Sequence, residues 1–187
     1  MRQVRYSVAM SLDGYIAGPN GEADWIVMDP DIDFGATFSR FDTLLIGRKS
    51  FAAMQAMGGV SGMAPGVRSV VISHTMLQAD YPDVTIVNDA EPFVAELKAT
   101  PGKDIWLWGG GELFHSLLGA GLVDGVDVAV IPVLLGGGIP LLPTPAQRTT
   151  LALRNQRVYE KSGIVGLEYD VVHSPAGKPT ALNVGSA

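Results

Sequence analysis

A chain of 187 residues, 47% apolar and 17% charged, has the length and balance of one globular domain and excludes a disordered polymer. Its net charge of −6 argues against general nucleic-acid binding, which needs a basic face, and the absence of cysteine excludes disulfides, thiolate metal sites and cysteine nucleophiles. His74, His115 and His173 are too widely spaced for a metal-ligand pattern, apolar runs such as Val126–Leu135 are too short to span a bilayer, and Met1–Tyr6 lacks the apolar segment of an export signal, so a cytoplasmic protein without metal is expected.

From the N-terminus, Arg2–Met10 alternates and carries β-branched residues, which predicts a strand. Ser11–Asp24 is rich in Gly, Asp and Asn and reads as a loop, with Gly18–Gly21 suited to a mobile lid. A short helix is expected over Asp33–Arg40, a buried strand over Thr43–Gly47, a helix over Arg48–Met57 and a loop over Met57–Gly66. Strands follow at Arg68–Ser73 and Val84–Asn88. Pro92–Ala99 has helical spacing, with Phe93, Val94 and Leu97 on one face, and stops at Thr100, Pro101 and Gly102. Asp104–Trp108 reads as a strand, Glu112–Leu118 as a helix, and Asp127–Leu135 as a strand closed by three glycines. Thr150–Tyr159 and Val165–His173 form a hairpin through Lys161, Ser162 and Gly163. The domain therefore spans residues 1–173, and Ser174–Ala187 reads as a tail.

Strands alternating with helices, then strands alone, predict an α/β fold. Its three layers (αβα) would enclose a mostly parallel sheet that ends in an antiparallel C-terminal hairpin. Such sheets bind ligands outside the carboxyl ends of their parallel strands, which selects the loops after Met10, Ile46, Ile72 and Trp108.

Three of those loops carry binding chemistry. Ile105–Trp108 runs into Gly109, Gly110 and Gly111, which open a helix at Glu112, Leu113 and Phe114. Glycines admit a ligand close to the backbone, and the free N–H groups and dipole of a helix start attract a pyrophosphate. The alternative is a tight turn that binds nothing. The segment is neither a Rossmann fingerprint, since Phe114 stands where a third glycine is required, nor a P-loop. At Leu44–Phe51, a strand ends in Gly47, and Arg48, Lys49 and Ser50 start a helix. Cations are disfavoured there unless they meet an anion; a solvated basic corner is the other reading. Val70–Ile72 ends in Ser73, His74 and Thr75, three hydrogen-bonding side chains fit for an adenine-ribose end or for a plain loop start. The fourth loop, after the first strand, holds the turn pair Asp13-Gly14.

In this order, Ser11–Gly14, Gly47–Phe51, Gly109–Gly111 and Ile131–Pro140 resemble the dihydrofolate-reductase superfamily. The closer likeness is to the C-terminal reductase domain of the bifunctional riboflavin-biosynthesis deaminase-reductase and its stand-alone relatives, over Arg2 to about His173. The resemblance implies NADPH across the carboxyl edge of the sheet. Gly47, Arg48, Lys49 and Ser50 with Gly109, Gly110, Gly111, Glu112 and Leu113 would take the pyrophosphate, Ser73, His74 and Thr75 the adenosine end, and Ala9, Ile16 and Ala17 the nicotinamide. It also implies a cis bond at Gly109–Gly110 and a homodimer. Glu112 stands where dihydrofolate reductases often place an arginine near the 2′-phosphate, and Tyr15 replaces a basic residue common in the riboflavin enzymes.

The implied reaction is hydride transfer to a small heterocyclic substrate, pyrimidine- or pterin-like, with Asp13 the first candidate to orient substrate or proton and Asp31 the second. In the pterin enzymes a carboxylate near the first helix grips the ring; Asp31 or Asp33 would serve, or would cap that helix. A nucleotide-binding module without turnover, acting as sensor or regulator, and an α/β domain with an empty cleft remain as alternatives.

Overall fold

In the computed structural model, residues 1–56, 58–59 and 66–173 are described; most of the expected Met57–Gly66 loop and all of the tail lie outside them. Strand β1 (Val4–Ser11) is followed by a short β2 (Tyr15–Ala17), helix α1 (Phe34–Ser39), β3 (Phe41–Gly47), α2 (Arg48–Ala56) and β4 (Arg68–Ile72). Next come a 3-10 turn (Gln78–Asp80), β5 (Thr85–Val87), α3 (Ala90–Ala99), β6 (Asp104–Gly109), α4 (Gly111–Gly119), β7 (Gly125–Ile131), β8 (Ile139–Pro140), β9 (Leu151–Tyr159) and β10 (Ile164–Val171). The main sheet has the order β5-β4-β3-β6-β1-β7-β10-β9. The strands from β5 to β7 pair in parallel, and β10 lies antiparallel to both β7 and β9.

Alternation along the strands divides the core into two layers. On one face Val4, Tyr6, Leu45, Val70, Ile105, Leu107, Val126 and Val128 pack with α3 and α4 through Val94, Leu97, Leu113, Phe114 and Leu117. On the other, Phe41, Leu44, Ile46, Val71 and Trp106 pack with Phe51 and Met54 of α2 and with Phe38 of α1. Each fully buried aliphatic side chain contributes roughly 1.5–3 kcal/mol, so both faces are needed to hold the sheet. The three-layer expectation holds.

The α1 face carries charge as well. Arg5 is fully buried, with its guanidinium paired to Asp127 at 2.6 Å and Asp170 at 3.0 Å and donating to the Tyr169 carbonyl at 3.1 Å. The neighbouring strand position is Gly125, and a Cβ there would collide with that guanidinium. Among the described residues no helix is long and apolar enough to cross a membrane.

Several boundaries differ from the sequence expectation. The strand expected over Asp127–Leu135 is β7, Gly125–Ile131, because Pro132 has no N–H to continue a ladder. Residues expected as a plain loop or a glycine closure contain β2 and β8, which pair with each other: Tyr15 opposes Pro140 and Ala17 opposes Ile139. Helix α1 begins at Phe34, because Asp33 caps it by accepting the Ala36 N–H at 2.8 Å. Helix α3 begins at Ala90, ahead of the expected Pro92, which suits a proline in a first turn.

Candidate functional site

Strands β3 and β6 are neighbours, and the helices that follow them leave on opposite faces of the sheet: α2 on the α1 side and α4 on the α3 side. Divergence of this kind opens a crevice at the carboxyl ends of the two strands. It brings two of the sequence segments together. Ile46 is in register with Gly109, and a Cβ on Gly47 would lie 3.6 Å from the Gly109 carbonyl oxygen and 3.8 Å from the Gly110 nitrogen. Ser50, in the first turn of α2, faces the same point; Cβ atoms on Gly109 and Gly110 would sit 3.3 Å and 3.1 Å from its Oγ. Glycine at both positions therefore keeps the cradle open. The Gly109–Gly110 peptide is cis, as the resemblance implies.

Gly110 is the N-cap of α4 and offers no capping side chain, so the first-turn N–H groups are left to face the crevice. Arg48 and Lys49 stand exposed at the start of α2. Gly111 and Leu113 are buried, Gly111 against Pro140 and Pro143, and Glu112 is exposed. These donors and cations fit an anion of pyrophosphate size. At the end of the adjacent β4, Ser73 is buried and its Oγ accepts the N–H groups of Thr75 at 3.2 Å and Met76 at 3.1 Å; it shapes the turn, while His74 and Thr75 are exposed.

The loop after β1 is held firmly. Asp13 accepts the Ser11 hydroxyl at 2.6 Å, the Leu135 N–H at 3.1 Å and the Gly136 N–H at 2.7 Å, which ties it to the loop after β7. The Ser11 hydroxyl and these backbone groups pull its carboxyl below the usual carboxylate range. Ile16 and Ala17 follow in β2, fixed against β8. Gly18–Gly21, expected as a lid, forms a self-contained turn: Gly18 N–H donates to the Glu22 carbonyl at 2.8 Å, and the Glu22 carboxylate accepts from Asn20.

On the α1 face a row of small residues crosses three strands. Ala9, Ala129 and Gly166 are in register on β1, β7 and β10, and Arg157 of β9 ends the row. The next row holds Ser7, Asp127 and Glu168, with Arg40 reaching Glu168 at 3.6 Å and Asp127 at 3.9 Å. Trp106 and Phe38, stacked with ring centroids 5.1 Å apart, stand on the other side. Asp31, the second catalytic candidate, is paired with Lys161 at 2.8 Å and half-exposed, apart from Asp13. Asp29, Arg40, Asp127 and Arg157 carry no sequence signal, because isolated charges in strands and loops look alike until the fold collects them. A separate shallow depression of about 240 Å³, lined by Leu118, Arg148, Thr149 and His173, lies by the C-terminal end of α4, where the dipole disfavours anions.

Proteins similar to this chain in sequence or fold are known. The protein YyaP of Bacillus subtilis (strain 168), itself uncharacterized, is 35% identical over 178 residues, covering 90% of this chain and 94% of its own. A solved structure described as a riboflavin biosynthesis protein of Shewanella sp. PV-4 superposes with a TM-score of 0.77 at 26% identity, covering 92% of this chain and 100% of that one. Dihydrofolate reductase from Enterococcus faecalis shares the fold, with a TM-score of 0.64 at 18% identity over 90% of this chain and 94% of its own. The model of the RibD C-terminal domain matches residues 2–164, which include β1, both glycine junctions and the whole parallel sheet. The chain belongs to the RibD C-terminal domain family.

Proposed function

We propose that this protein is an NADPH-dependent oxidoreductase that transfers hydride to a small heterocyclic substrate, pyrimidine- or pterin-like. Such a reaction is related to that of 5-amino-6-(5-phosphoribosylamino)uracil reductase, an activity borne by a structural relative from Thermotoga maritima. The observation that carries the reading is the meeting of Gly47 with Gly109 and Gly110 between two helix starts on opposite faces of the sheet. A dinucleotide needs such a cradle for its pyrophosphate, and family membership supports a reductase-type activity.

When bound, the cofactor would supply the hydride. The chain's part is to bind, orient and exclude water. Gly47 to Ser50 and Gly109 to Leu113 would hold the pyrophosphate, Ser73 to Thr75 the adenosine end, and Ala9, Ile16 and Ala17 the nicotinamide. The half-buried row Ala9–Ala129–Gly166 gives a flat ring a floor beside that position. Asp13, kept ionised near neutrality by its hydrogen bonds, orients the loop over the site rather than donating a proton, and water is left as the proton source.

The partner implied by the resemblance is a second copy. On the face of the sheet away from α1, β9 and β10 present Leu151, Leu153, Gln156 and Val158 beside Val165, Leu167, Tyr169 and Val171, a face with no charged side chain, and Leu153 and Val158 are 54% and 63% exposed.

Titration of NADPH and NADH against the protein, followed by tryptophan emission from Trp106 and Trp108, tests the cofactor. Preferential NADPH binding that Gly110→Val abolishes is the expected result, since a Cβ there already crowds Ser50. Binding of neither nucleotide would sink the reading. Consumption of NADPH in the presence of an aminopyrimidine then separates an enzyme from a binding module.

A further inference from the structure

Between Asp24 and α1 the chain has no regular structure, and it exposes Val27 and Met28. One buried side chain anchors it. Asp29 is 2% exposed; one of its carboxylate oxygens accepts the Asp31 N–H at 2.8 Å and the other the Ser162 N–H at 3.0 Å, in the turn between β9 and β10. Its carbonyl accepts the Ile32 N–H at 3.2 Å, closing a turn that leads to the α1 cap at Asp33. Two contacts run alongside: Lys161 pairs with Asp31, and Arg157 donates to the Asp31 carbonyl at 3.3 Å. Both are exposed, and exposed pairs contribute little. A buried carboxylate with two backbone donors is the stronger tie.

Helix α1 is short, and its hold on the sheet is narrow. Phe38 stacks on Trp106, and the Trp106 indole donates to the Ser7 carbonyl at 3.1 Å. Contacts thus pass from the β9–β10 turn through Asp29, along the approach to α1, and down to β1 beside the row Ala9–Ala129–Gly166.

We propose that Asp29 is a positioning residue, which, by tying the approach to α1 to the β9–β10 turn, sets the height of α1 over that row and so the space left above it for a substrate ring. This rests on the reading of that row as the floor of the substrate site. Asp29 acts through α1 and touches neither glycine junction, so the cofactor cradle does not depend on it.

Hydrogen exchange on the full chain, read with the near-ultraviolet circular dichroism of its tryptophans, tests this. In Asp29→Ala the amides from Ile32 to Arg40 are expected to exchange roughly tenfold faster, and the tryptophan band to weaken as Phe38 shifts on Trp106. Amides of β1, β6 and α4 and the NADPH titration should stay as in the wild type. Asp29→Asn, which keeps one acceptor oxygen, should fall between the two, and it carries the comparison if the alanine variant does not fold. Unchanged exchange over α1 in the variant that folds overturns the proposal. Acceleration spread evenly through the sheet overturns it too, since that marks a merely structural role. Failure of the wild type to bind NADPH would remove the reductase reading but leave the exchange result standing, so the two failures are distinguishable.

Discussion

The Tyr6 ring stacks on Phe114 with centroids 4.0 Å apart, yet its buried hydroxyl has no hydrogen-bond partner among the described residues. Burial pushes the phenol pKa up, so the group stays neutral and its polarity is simply unmet. An unsatisfied buried hydroxyl costs about 1–3 kcal/mol, while the ring contact is kept by phenylalanine. Tyr6→Phe is therefore expected to stabilise the protein by about 1 kcal/mol, seen as a higher urea midpoint with unchanged slope; a loss of stability would mean the hydroxyl is satisfied in solution. Arg5, four residues before Ala9 on β1, is the opposite case: fully buried but matched by Asp127 and Asp170.

At the level of elements, two carboxylates hold irregular segments that have no ladder of their own. Asp13 ties the loop after β1 to the loop after β7, and Asp29 ties the approach to α1 to the β9–β10 turn. Hydrogen bonds keep both below the ordinary carboxylate range, for Asp13 chiefly from Ser11 and for Asp29 chiefly from Ser162. Groups depressed in the folded state contribute stability that is full above the unfolded value and lost as pH falls through the folded one. The urea midpoint should therefore hold from neutrality down to about pH 4 and decline below it. Asp29→Asn should make that decline shallower, and an identical decline in the variant would show that Asp29 is not depressed.

For the whole molecule, the two edges of the sheet differ. At β5 the Gln78 side chain occupies the outer edge, accepting the Ile86 N–H at 2.9 Å and donating to the carbonyls of Tyr81 and Val84. A covered edge resists association with other chains. At the other end β9 is exposed over almost its full length and shows one uncharged, largely apolar face. Monomers rarely display contiguous apolar patches beyond a few hundred Å², and two copies that each carry −6 meet with least repulsion on an uncharged surface. Sedimentation velocity at micromolar concentration should find a dimer for the wild type. The double change Leu153→Glu and Val158→Glu should give a monomer with unchanged circular dichroism and NADPH titration. A monomeric wild type, or a variant that still dimerises, would reject this surface.

Alternation, glycine-to-helix junctions and turn residues act over a few positions, so the sequence by itself determined the α/β class, nearly every strand and helix, and the two glycine junctions of the proposed cofactor cradle. Gly47–Ser50 and Gly109–Leu113 were legible because a strand that ends in glycine and starts a helix has little other use for exposed cations or repeated glycines. What only the tertiary structure decided depends on register and on chain crossings. The pairing of β2 with β8 joins segments too short to declare themselves. Asp13 emerges as a tether, and Asp31 as the partner of Lys161. The row Ala9–Ala129–Gly166 and the buried Asp29 gather residues from distant parts of the chain. Small residues and single carboxylates carry no periodic signal; they gain a role only when sheet order sets them beside one another.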